Sequence, residues 1–203
     1  MQRPAPTPRR YPLPLWGIWG LVLIVMGLLL AQPLGPEGRF ALKMIPHHAQ
    51  AVELARIFER RTADENLRYF ALDVAQTQQA QMAQMRGWLP WWRQLTVSFE
   101  RPSAQAAAAM GMASPQEIAE LLALQGRAAE TRFLQLMIRH HQGALPMIEQ
   151  GLAEVKTGGL PRDLIEAMGQ SQVGEIQTME RWLTERGEEK LPFDPSAMPG
   201  HGH

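Results

Sequence analysis

Met44-Ile45-Pro46-His47-His48 and Met137-Ile138-Arg139-His140-His141 are two copies of one pattern, a methionine three residues ahead of a histidine pair, set 93 residues apart. Residues at i, i+3 and i+4 share a helix face, so each copy brings one thioether and two imidazoles within reach of one another. A second echo lies downstream. Gln81-Met82-Ala83-Gln84-Met85-Arg86-Gly87-Trp88-Leu89 answers Glu175-Ile176-Gln177-Thr178-Met179-Glu180-Arg181-Trp182-Leu183 at a spacing one residue longer. Two landmarks at nearly one offset indicate a duplicated unit: a helix bearing the histidine pair, a turn, and a helix ending in Met-x-x-Trp-Leu.

Apolar spacing supplies the helices. Ala41, Ile45, His48, Val52, Ala55 and Phe58 form an inward stripe on the first. Asp64 can cap the second, which carries Leu67, Phe70, Val74 and Met85. Phe133, Met137, His141, Ala144 and Ile148 line one side of the third. Gly158-Gly159 breaks it, and Pro161 suits the first turn of the fourth. No strand-like alternation occurs. The expected fold is all-α: a four-helix bundle made of two repeated hairpins. The long connection, about Pro90 to Gly126, contains a capping box at Ser114-Pro115-Gln116-Glu117 that starts a short helix. Met110-Gly111-Met112 just before it is either a further ligand pair or apolar cover for the bundle end.

The chain has six His, all in close pairs, with 12 Met and no Cys. Thioether beside neutral imidazole favours copper(I), or silver(I), over hard cations; zinc could bind through histidine alone. A carboxylate di-iron centre needs Glu-x-x-His on two helices, and here Met44 and Met137 stand three before His47 and His140. Met44, His47, His48, Met137, His140 and His141 are therefore the principal candidate ligands. With the first hairpin turning near residue 63, Met44 comes level with Met82; with the second turning near Gly159, His140 comes beside Met179. Met82, Met85, Met179, Met110, Met112 and Met147, the last two turns beyond His140, complete the candidates. His48 and His141 point inward, whereas His47 and His140 lie on the flank. Methionine is also an ordinary core filler and a histidine on an apolar stripe can simply be packed. Four inward imidazoles without partners would nonetheless be costly. Free imidazole protonates near ~6.5, so a histidine metal site would weaken as pH falls through that range.

The 20 basic and 20 acidic residues balance, leaving nucleic acid no electrostatic foothold. Neither a nucleophile turn nor a Gly-rich phosphate loop is present, so no catalytic residues are assigned. Arg3, Arg9 and Arg10 precede an uncharged run from Leu15 to Ala31, which reads as a signal peptide or as a single anchor helix in the membrane. Residues 1–36 then form a basic stub, anchor and linker, 37–190 the bundle, and 191–203 a tail. In that tail, Met198, His201 and His203 are either a copper-capturing arm or an incidental terminus.

The two Met-Ile-x-His-His motifs, Met110-Gly111-Met112-Ala113-Ser114 and the Met-x-x-Trp-Leu endings resemble the domain of unknown function 305 family, whose studied members include CopM-type periplasmic copper-binding proteins. The resemblance covers roughly residues 37–185. It implies a ferritin-like four-helix bundle in the cell envelope that binds copper through Met and His, with a role in copper tolerance or handling. Pro146 and Leu54 depart from the family pattern, which leaves the first site poorer in thioether than the second. The expected function is copper(I) binding for sequestration, tolerance or transfer, with metal ions and another envelope copper carrier as partners. A bundle metallo-oxidase and a purely structural or partner-binding bundle are the alternatives.

Overall fold

Pro46 and Pro146 both stand inside long helices. In the computed structural model, which describes residues 15–30, 33–97, 101–156 and 158–194, α2 runs Pro36–Phe58 through Pro46 and α7 runs Gly126–Glu154 through Pro146. Each proline removes one backbone donor, leaving the carbonyls of Leu42 and Gln142 without their usual partner four residues on. Neither ends its helix, because burial of the helix face on both sides of the proline holds the backbone in place.

The remaining helices are α1 (Leu15–Leu30), α3 (Glu65–Arg86), α4 (Trp91–Thr96), α5 (Ala104–Ala109), α6 (Pro115–Ala123) and α8 (Leu160–Glu185). No strand occurs among the described residues. The chain is all-α. Asp64 caps α3, its Oδ1 accepting from the backbone N–H of Asn66 at 2.9 Å and of Leu67 at 3.2 Å. Ser114 and Glu117 form the anticipated capping box at the start of α6. Gly159, at φ 117°, turns the chain into α8 with Pro161 in its first turn. The two short helices α4 and α5 were not expected from the apolar pattern, being too brief to show a period.

α2 packs on α3 and α7 on α8 as two hairpins, and α2 packs on α7 to join them into a bundle. The joint is built on the repeat. At one end Phe58 stacks on Phe133, centroids 4.0 Å apart and rings 4° from parallel. At the other, Gly151 leaves room for the Phe40 ring, which a Cβ there would meet at 2.6 Å. Phe40 answers Phe133 in the repeat, and Phe58 answers Gly151. The two contacts are therefore the same contact seen from either copy, so α2 and α7 cross antiparallel about a pseudo-two-fold axis.

Leu34 ends one compact unit and Gly35 begins the next, which holds the bundle. In the first unit α1 has 16 residues. That is about 24 Å, against a hydrocarbon core of about 30 Å. No described helix is long and apolar enough to cross a membrane. Arg3, Arg9, Arg10 and Ala31, on which the signal or anchor reading drew, lie outside the described residues, as does the Met198–His203 tail.

Candidate metal centre

His47, His48, His140 and His141 are all buried, none more than 1% exposed. This corrects the expectation that His47 and His140 lie on the flank. The flank of each hairpin is the face it turns to the other, so joining α2 to α7 makes it interior. The rings follow one another as neighbours. His48 to His47 is 6.4 Å between centroids, His47 to His140 is 3.8 Å, and His140 to His141 is 6.0 Å.

Every one of these rings is tied by Nε2 to an oxygen. His47 donates to the Met110 carbonyl at 3.0 Å and His140 to the His47 carbonyl at 3.0 Å. His48 donates to Gln81 Oε1 at 2.8 Å and His141 to Glu175 Oε2 at 2.7 Å. All four partners are acceptors, so the proton sits on Nε2. All four Nδ1 atoms are buried with no hydrogen-bond partner. In a neutral imidazole bonded this way, Nδ1 is a bare lone pair whose direction is fixed from the far side of the ring.

Burial keeps three of the rings neutral. It pulls His47 down to about 4, against the raising effect of its bond to Met110, with His141 adding to the fall. It pulls His48 down to about 3, with His47 adding and the Gln81 bond opposing. His140 is held well below the usual range by burial and by the other three histidines. At Glu175 burial alone would raise the carboxyl. The hydrogen bond from His141 and another from Ser171 Oγ, at 2.6 Å, outweigh it and hold the group below its ordinary value.

The segment from Met110 to Ser114 closes over this row. The Met110 carbonyl takes the His47 proton, and Gly111, at φ 70°, crosses α7 so closely that a Cβ on Gly143 would run into the Met110 carbonyl. Gln50 grips the segment from α2, donating to the Ala113 carbonyl at 2.8 Å and accepting from its N–H at 2.7 Å. Arg139 grips it from α7, reaching the Gly111 carbonyl at 3.3 Å while both its terminal nitrogens bond Glu117, at 2.9 and 2.7 Å. With that bidentate pair outweighing burial, Glu117 falls to about 2.

Met44, Met85, Met137 and Met179 are fully buried, and Met82, Met112 and Met147 nearly so. Met110 is half-buried and enters the site through its backbone. Side chains on a helix lean toward its N-terminus, so heads that meet across an antiparallel pair are not those at equal Cα height. Counted four residues from the His48–Gln81 bond, Met44 falls opposite Met85; counted likewise from His141–Glu175, Met137 falls opposite Met179. Met147 lines a separate open groove with Arg39, Lys43 and Glu154. Met112 lines another with Glu117 and Phe193. Among the described residues no three His, Asp or Glu side chains are grouped to hold a metal between them. Gln81 and Glu175 were absent from the candidates drawn from sequence, yet each is the opening residue of the downstream echo, a position where the copies share a place and differ in charge.

A family model described as a domain of unknown function (DUF305) matches residues 37–183. Among solved structures, a DUF305 protein from Streptomyces coelicolor, named as a secreted protein, is 37% identical, with TM-score 0.65 over 78% of this chain and 98% of that one. A DUF305 fragment from Deinococcus radiodurans is 36% identical, with TM-score 0.63 over 75% and 99%. CopM in its Cu(I)-bound form shares the fold at 24% identity, with TM-score 0.54 over 74% and 96%; Ag-bound and Cu(II)-bound forms of CopM match similarly. No curated protein matches the chain.

Proposed function

We propose that this chain, which belongs to the DUF305 family, is an exported protein that binds copper(I), or silver(I), through the histidine row and the thioethers of Met44 and Met137, to sequester or pass on copper in the cell envelope. The observation that carries the reading is the set of four buried Nδ1 atoms without partners. Leaving a buried polar atom unpaired costs about 1–3 kcal/mol. A row of histidines kept only for packing would bear that cost four times, where leucine would bear none. Soft cations bound at Nδ1 would remove it. Nε2 bonded to a fixed oxygen is also the outer-shell arrangement that orients an imidazole as a ligand.

Donor chemistry supports the metal. Among the described residues the ring row meets no grouping of carboxylates, and each Met-x-x-His-His unit carries a buried thioether one turn from its imidazoles. Soft sulfur with imidazole suits copper(I) and silver(I). CopM, a structural neighbour in the same fold, has been seen with Cu(I), Cu(II) and Ag bound. Export rests on Arg3, Arg9 and Arg10 ahead of an apolar run and agrees with the name of the Streptomyces relative.

The test is an anaerobic copper(I) titration of the full chain against a chromogenic chelator, beside the variant with Ala at His47, His48, His140 and His141. Wild type should withhold at least one equivalent that the variant, checked for helix content by circular dichroism, yields to the chelator. Equal retention would assign binding to methionines or the tail, and no retention by wild type would leave a packed histidine core as the better account.

A further inference from the structure

The two ends of the histidine row have the same architecture and different charge. At one end His48 is backed by the neutral amide of Gln81, and at the other His141 is backed by the carboxylate of Glu175. The pairs are related by the duplication, so neither the helix, the burial nor the hydrogen-bond length accounts for the difference. His48 and His141 are both 0% exposed, and the bonds measure 2.8 and 2.7 Å. The carboxylate is moreover held in place, its second oxygen accepting from Ser171 Oγ at 2.6 Å.

We propose that Gln81 and Glu175 set the two ends of the row for different charge states of copper, with Glu175 the positioning residue that suits the His141 end to copper(II) and Gln81 leaving the His48 end to copper(I). The proposal rests on the copper reading above. A carboxylate on the far side of an imidazole makes its free nitrogen a stronger donor, an outer-shell effect that changes metal affinity roughly 10–100-fold. Its negative charge also attracts a dication twice as strongly as a monocation at the same place, whereas an amide carries no net charge to discriminate. Lining up one end for each state lets a single chain hold copper whichever state it arrives in.

The experiment compares wild type, Glu175→Gln and Gln81→Glu as full chains. Each is titrated with copper(II) in air and with copper(I) under argon against competing chelators, with the electron paramagnetic resonance spectrum of the copper(II) forms recorded. Glu175→Gln should weaken the tighter copper(II) site tenfold or more and copper(I) less than threefold. The ratio of the two affinities then changes at least about threefold, which corresponds to about 30 mV or more in the one-electron potential. Gln81→Glu should do the reverse, adding a second copper(II) signal, and as a gain it cannot be mistaken for misfolding. Without metal, the His141 Nε2 proton should resonate downfield in wild type and move upfield in Glu175→Gln. Equal changes for both oxidation states, or none, overturn the proposal while wild-type binding keeps the copper reading intact. Failure of wild type to bind copper in either state overturns both.

Discussion

The imidazoles of His47 and His140 lie 3.8 Å apart, centroid to centroid, and His140 donates to the carbonyl of His47 itself. The two residues are each other's counterparts in the duplication, so the centre of the site is also the joint between the copies. Residues that share a contact and a hydrogen bond are not energetically independent. Single changes to Ala at His47 or at His140 should each weaken copper(I) binding at least tenfold, and the double change should cost clearly less than the product. A double-mutant cycle on chelator-competition affinities checks this; strict additivity would mean that the two rings bind separately.

Methionine to leucine separates ligand from filler. Leu keeps the volume of Met, so Met44→Leu and Met137→Leu should alter the metal-free unfolding free energy by less than about 1.5 kcal/mol. Both should lower copper(I) affinity. Met147→Leu, in its separate groove, should leave affinity unchanged. Urea unfolding and copper competition on the same samples decide it, and unaltered affinity in Met44→Leu and Met137→Leu would remove the thioethers from the site.

The pH dependence should appear in stability before it appears in affinity. His47 and His48 have native values of about 4 and about 3, against about 6.5 when unfolded. The unfolded chain therefore binds more protons throughout that window. Stability conferred by the neutral rings is complete above about 6.5 and is lost as pH falls toward the native values. Each unit of pH below about 6.5 costs roughly 1.4 kcal/mol per histidine, so at pH 5 these two together cost about 4 kcal/mol. The metal-free melting temperature should drop steeply between pH 7 and pH 5. In the folded chain His47, His48 and His140 remain unprotonated, so the copper(I) affinity these three rings carry should stay nearly level over that range. This reverses what free imidazole would do, and affinity falling tenfold per pH unit from pH 6.5 would show the rings to be more accessible than the structure has them.

The segment over the row should be sensitive to one methyl group. Gly143→Ala sets a Cβ against the Met110 carbonyl, backbone against backbone, with no flexible side chain to yield. The expected cost is about 2–4 kcal/mol in urea unfolding, with faster amide hydrogen exchange at residues 107–113. Gly174→Ala, where a Cβ meets nothing, is the control. Protection of 107–113 unchanged in Gly143→Ala would contradict the close approach.

Much of this was legible in the residues. The paired Met-x-x-His-His units and their downstream echo identified both hairpins, and Asp64 and Ser114 marked helix starts, because periodicity and capping are local properties. What escaped is what depends on how hairpins meet. Burial of His47 and His140 comes from the packing of α2 on α7, which no single helix encodes. Gln81 and Glu175 open the two halves of the echo, but they bond the imidazoles from the Nε2 side, so no metal-ligand spacing marks them.

A chain can copy a hairpin, but it cannot copy the stretch that links the copies, since two halves have one link between them. Here that link is gripped by Gln50 from one copy and by Arg139 and the bare backbone of Gly143 from the other. The counterparts of Gln50 and Arg139 are Gly143 and Pro46, which have no side chain to do the same. The copies have thus ceased to be exchangeable. A chain assembled from the first hairpin twice would keep every imidazole and lose its closure, and one assembled from the second twice would meet the link with no amide to receive it.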